Sequence, residues 1–84
     1  MTEQEKYLEG HRNCGIKVGD RVRVARKAES FEGGWKETWE YPMNHFMGET
    51  GIVDTDDEEF GFFVEFRSPA YGYVRFPYFV LEKI

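Results

Sequence analysis

Residues 47–53, MGETGIV, constrain the fold more than any other stretch of this chain. Gly48 and Gly51 make a Gly-x-x-Gly turn that runs straight into the apolar start of a strand. Glycine suits such a turn for two reasons: positive φ costs it little, and it admits close packing where a Cβ would not fit. A long aromatic and polar stretch precedes the turn, and two compact hydrophobic runs follow it. That placement marks the corner that closes a small β structure.

The flanking segments read as strands. In IKVGDRVRVAR (16–26), Gly19-Asp20 is a turn, and Val22 and Val24 then alternate with Arg21 and Arg23. Period two is the mark of a half-buried strand. Ile16 and Val18 are expected to pack at the mouth of the barrel just before it. Residues 50–55 form the second strand, and DTDDEE (54–59) is an acidic, solvated hairpin tip. FGFFVEFR (60–67) is the third strand, with Phe60, Phe62, Val64 and Phe66 on the core face. Ser68-Pro69-Ala70 turns the chain into YGYVRF (71–76), where Val74 and Phe76 share one face and Tyr71, Tyr73 and Arg75 the other. Pro77 lacks an N–H and breaks the ladder. Residues 77–79 suit a single 3₁₀ turn, and 80–84 a short closing strand.

Two segments stand outside this pattern. Residues 2–12 predict a short helix, because Thr2 and Glu5 have capping-box spacing. Gly10 and then NCG (13–15) are expected to end it, and so short a helix is marginal in water. Residues 27–46 show no alternation. They hold Gly33-Gly34, Trp35, Trp39, Tyr41 and Pro42, and a twisted hairpin with Gly33-Gly34 at its tip is the expectation there. A twenty-residue loop in so small a domain points either to function or to structure that the spacing does not reveal.

Length and composition set the outer limits. Eighty-four residues make one domain, with residues 1–15 as an extension and 16–84 as the body. Aromatics are 18% of the chain, enough to build a core where the chain is short. One cysteine, Cys14, forms no internal bridge, which suits either a reducing, cytoplasmic setting or indifference to redox. The start of the chain does not read as a signal peptide, and no apolar run is long enough to span a bilayer. Net charge is −5, against the basic balance of most nucleic-acid binders.

VGDRVRV (18–24), a long loop, MGETGIV (47–53), FFVEF (62–66) and YVRFPYFVLE (73–82) together resemble the SH3-like barrels of bacterial and phage proteins. The pattern is similar to the barrel of the nitrile hydratase beta chain and to that of a small accessory protein of photosystem I. It also looks like small phage-encoded barrels, whose loop and closing elements correspond here to Trp39, Met43-Asn44, Gly48, Gly51 and Phe76-Pro77. The resemblance covers residues 16–84. It implies an all-β, five-stranded SH3-like barrel with a long first loop, a late 3₁₀ turn and a short N-terminal helix. Such barrels serve many roles, so the likeness speaks for fold more than for activity. Peptide-binding eukaryotic SH3 domains match less well: Val80 stands where they carry a binding Tyr, and no tandem Trp pair follows the second strand.

The constellations that carry chemistry are sparse. His11-x-x-Cys14 supplies two metal ligands where zinc takes three or four, and no second cysteine exists. Cys14 with His11 or His45 lacks any spacing that fixes a nucleophile against its base. No catalytic residue, metal or cofactor is therefore expected. Trp35, Trp39, Tyr41, Phe46, Tyr71, Tyr73 and Tyr78 admit two readings: a shelf for a protein partner, or caps over the open ends of a small barrel. Arg21, Arg23, Arg26 and Lys27 are the one basic cluster, either a phosphate-contacting face or a solvated one. The leading expectation is a non-catalytic protein-interaction module or accessory subunit, monomeric or weakly dimeric. A nucleic-acid-binding barrel using the basic cluster is the alternative.

Overall fold

The computed structural model describes residues 2–66 and 74–84. It shows a helix α1 (Glu3–Asn13) and strands β1 (Arg21–Val24), β2 (Thr50–Asp56), β3 (Phe62–Phe66), β4 (Arg75–Phe76) and β5 (Leu81–Lys83). The strands form one antiparallel sheet in the order β4-β3-β2-β1-β5. β4 and β5 are its two edges, and the sheet is open between them among the described residues. Short 3₁₀ turns fill the connections, and one of them, Tyr78–Val80, joins β4 to β5. The expected turn between Ser68 and Ala70, and Tyr71 and Tyr73 with it, lie outside the described residues.

Period-two alternation places the core. Val22 and Val24 are buried while Arg21 and Arg23 are exposed, and Gly51 and Val53 are buried on β2. Phe62, Val64 and Phe76 complete the inner face. Each such side chain taken from water is worth about 1.5–3 kcal/mol, and one face of the sheet therefore fixes the register of all five strands. Two expected core residues lie elsewhere. Phe60 precedes β3 in a 3₁₀ turn (Glu58–Phe60) and is exposed, because Gly61 reverses the chain between them. Val18 is exposed in the turn before β1 rather than packed at a barrel mouth.

The MGETGIV corner uses its two glycines differently. Gly48 sits at φ +79° with open space around it. Gly51 has ordinary backbone, but a Cβ there would lie 2.6 Å from the Glu65 carbonyl oxygen and 2.7 Å from Val64 Cγ1. Gly51→Ala must therefore push β3 away from β2, and is expected to lower stability by about 1–3 kcal/mol. Gly48→Ala should cost about 1–2 kcal/mol through backbone conformation alone. Urea unfolding of the two variants, read alongside their amide spectra, distinguishes the mechanisms, because only Gly51→Ala should shift the amide resonances of Val64 to Phe66.

α1 is part of the body rather than a loosely attached tail. The capping box forms as the spacing predicts: the Thr2 hydroxyl accepts from the Glu5 amide at 3.1 Å, and Glu5 accepts from the Thr2 amide. Gly10 does not end the helix, which runs on to Asn13. Instead Gly10 lets the Tyr78 ring lie against the helix backbone, where a Cβ would meet the Tyr78 hydroxyl. Tyr7 and His11, four residues apart, form the buried stripe. Tyr7 is 1% exposed and belongs to the same hydrophobic cluster as Trp35, Phe62 and Val80.

Candidate functional site

The loop between β1 and β2 is ordered by its own aromatics. It is not a hairpin with Gly33-Gly34 at the tip; it folds as two 3₁₀ turns, Glu32–Gly34 and Tyr41–Phe46. The first places Trp35 inward, 1% exposed, with its indole N–H donating to the Phe60 carbonyl at 2.7 Å. The Lys36 amide then donates to Glu59 O, so the loop is tied to the turn before β3 at two consecutive residues. Arg75 strengthens the same junction. Its guanidinium donates to Asp57 at 2.6 Å and to Glu37 at 3.1 Å, and lies over the rings of Phe60 and Phe63. The Asp57 carboxylate is the main reason that the Arg75 pKa is raised.

The second turn pins the far end of the loop. Met43 and Phe46 are buried, and the Phe46 ring stacks on Phe66 with centroids 4.3 Å apart. Trp39 is half-buried against Phe76, and its indole N–H donates to Asn44 Oδ1 at 2.8 Å. Beyond Phe46 the chain rejoins the sheet through a pair of bonds between Val24 and residues 48 and 49.

These anchors leave two aromatics outside. Phe31 is 60% exposed and Tyr41 is 76% exposed. Phe31 is also held in left-handed backbone conformation, φ 61° and ψ 18°, with its amide bonded to the Glu37 carbonyl. An aromatic residue with positive φ stores about 1–3 kcal/mol of strain, and at this exposure its ring recovers little of that by burial. Glu58, in the turn that the loop is tied to, is the other non-glycine residue with positive φ among the described residues. Tyr41 meets the His45 ring edge-on at 6.0 Å.

The aromatic set read from the sequence is thus divided. Trp35 and Phe46 are core and cannot meet a partner in the folded chain. Trp39 and Tyr78 are half-buried, Tyr41 is exposed, and Tyr71 and Tyr73 lie outside the described residues. Phe31 was not in that set. No local spacing marks it out, because Phe31 and Trp35 flank the same glycine pair.

The basic cluster is partly neutralised. Arg23 makes two 3.1 Å bonds to Glu82, and Arg26 bonds Glu32 at 3.0 Å while lying over the Phe79 ring. Arg26 is also the first cause of the lowered pKa of Glu32. Arg21 and Lys27 are exposed.

His11 is the one buried polar side chain among the described residues. It is 3% exposed, stacks on Phe62 at 4.2 Å, and its Nε2 lies 2.6 Å from Asp56 Oδ1. Asp56 and Phe62 face each other across β2 and β3, so one imidazole meets both members of a cross-strand pair. Asp56 is therefore engaged rather than part of a wholly solvated tip. Nδ1 is buried without a hydrogen-bond partner. Of the two tautomers, the one with Nε2–H donating to Asp56 leaves no buried N–H without an acceptor. With one nitrogen bonded to Asp56 and the other buried, this histidine anchors α1 to the end of β2. Cys14 does not meet the ring: its thiol donates to the His11 carbonyl at 3.0 Å. Among the described residues no three His, Cys, Asp or Glu side chains gather as a metal site, and no helix is long and apolar enough to cross a membrane.

Comparison with protein-family models, curated proteins and solved structures finds no significant match. The functional reading therefore rests on the geometry of the loop.

Proposed function

We propose that this chain is a non-catalytic protein-interaction module of SH3-like topology that grips a protein partner with its first loop. The observation that carries the reading is Phe31, exposed and strained on a loop that is otherwise anchored. Backbone strain without compensating burial collects at ligand-contacting positions, and exposed aromatics on a rigid support make interface hot spots. Tyr41 is the second contact, and the partly buried Trp39 lies at its edge. The topology supports the SH3-like part: β1 lies between β2 and β5, and a 3₁₀ turn precedes the last strand. Protein is favoured over nucleic acid because two of the four basic residues, Arg23 and Arg26, already hold carboxylates.

Phe31→Gly tests this reading directly. Glycine removes the ring and relieves the backbone, so stability should stay level or rise by up to about 1–2 kcal/mol. Capture of partner proteins from cell extract should fall in the same variant, and in Tyr41→Ala. A gain in stability joined to a loss of binding is the signature of strain kept for function. Should Phe31→Gly instead weaken the fold by more than about 1 kcal/mol, the ring is a packing element and the proposal fails.

A further inference from the structure

We propose that the outer face of the sheet is a self-association surface, and that its occupant is a second copy of this chain, packed face to face about a two-fold axis that runs parallel to β2 and passes over Ile52. Strand register places four exposed residues in one row across the sheet. Ile84 bonds back to Arg21, Arg21 pairs with Ile52, and Ile52 pairs with Glu65. Ile52 is 42% exposed, and Ile84 is more open still. Arg21, Thr50, Ile52, Glu65 and Phe66 line a shallow groove on this side.

The charges of this row are unlike those of its neighbour. One step along the strands, Arg23 is paired with Glu82. Arg21 and Glu65 stand one strand to either side of Ile52, and neither makes an ion pair among the described residues. The row therefore reads positive, apolar, negative, centred on Ile52.

That order complements itself under one operation. A two-fold axis along β2 sets Ile52 against Ile52 and brings each Arg21 opposite the Glu65 of the other copy. An axis across the strands would oppose Arg21 to Arg21. Sheets packed face to face lie about 10 Å apart, a gap that an arginine and a glutamate together can span. Such an interface is isologous, so both ion pairs form at once. Asp54 works against it. It is the next outward residue on β2 and lies under the axis, facing its own counterpart. This repulsion, together with the small patch, makes the dimer weak and salt-sensitive.

Sedimentation velocity of the full chain over a concentration series at low salt is the test. The sedimentation coefficient should rise with concentration. Arg21→Glu and Glu65→Arg should each weaken association about tenfold, and the double reversal should bring it back to near the original value. Asp54→Asn should strengthen it a fewfold. All three substitutions are on exposed side chains, and urea midpoints verify that folding is unaffected. The proposal is overturned if the chain and Asp54→Asn both stay monomeric at millimolar concentration, if the single reversals leave association unchanged, or if the double reversal fails to restore it.

Discussion

Trp35→Ala leaves the chain largely unfolded at room temperature. Trp35 is the largest fully buried side chain among the described residues, and its removal takes the indole out of the hydrophobic cluster. Truncations of this size cost about 3–5 kcal/mol. Domains of ordinary stability have about 5–15 kcal/mol in all, and one this small sits at the low end of that range. The same change strands the Phe60 carbonyl and frees the first loop from the turn before β3. Trp35→Phe separates these effects. It keeps most of the ring volume and removes the N–H, so the loss should be about 1–2 kcal/mol. Far-UV circular dichroism during urea unfolding reads both. Trp39→Ala should fall between Trp35→Ala and Tyr41→Ala, and Tyr41→Ala should scarcely move the midpoint, because its ring is already in water. If Trp35→Ala unfolds within about 1 kcal/mol of the parent chain, the loop is not built on this side chain.

This ordering shows what the sequence could and could not say. Val22, Val24, Phe62, Val64 and Phe76 were legible as core because a strand alternates between two environments, and local spacing reports which is which. The helix cap was legible for the same reason, since Thr2 and Glu5 are three residues apart. Trp35 and Phe31 are not distinguished by any local rule. Both are aromatic, both flank the glycine pair, and a bond to a carbonyl twenty-five residues away decides which of them is buried. His11 and Asp56 are forty-five residues apart, so their contact has no sequence spacing to betray it. One clue was available: Tyr7 and His11 are four apart and so share a helix face. Read as a stripe, they would have placed α1 against the body. Phe60 was misplaced because its alternation with Phe62 holds only if Gly61 continues the strand. Gly61 instead takes φ 105°, and the period is broken there.

The docking of α1 gives the other large effect. Tyr7→Ala should cost about 3–5 kcal/mol and remove the helical signal, because an eleven-residue helix does not persist without its packing. The Tyr7 ring packs against Tyr78 at 5.3 Å and Phe79 at 6.3 Å, and Ala reaches neither. Tyr7→Phe should behave in the opposite sense. The hydroxyl is buried and makes no hydrogen bond of good geometry, although the Tyr78 backbone approaches it. Removing a polar group in that position is neutral or stabilising. The two variants also differ in alkali. Burial pushes the Tyr7 hydroxyl well above the ordinary tyrosine value of 10.0. The folded chain therefore keeps a proton that the unfolded chain gives up. The resulting stability is fully present below pH 10, the unfolded value, and is lost as pH rises through that value toward the folded one. The parent chain should lose stability relative to Tyr7→Phe on raising the pH from about 8 to about 11. The remaining tyrosines are common to both chains and cancel in the difference of urea midpoints. A constant difference across that range would mean that the hydroxyl meets water in the folded state, and that α1 does not seal the core at Tyr7.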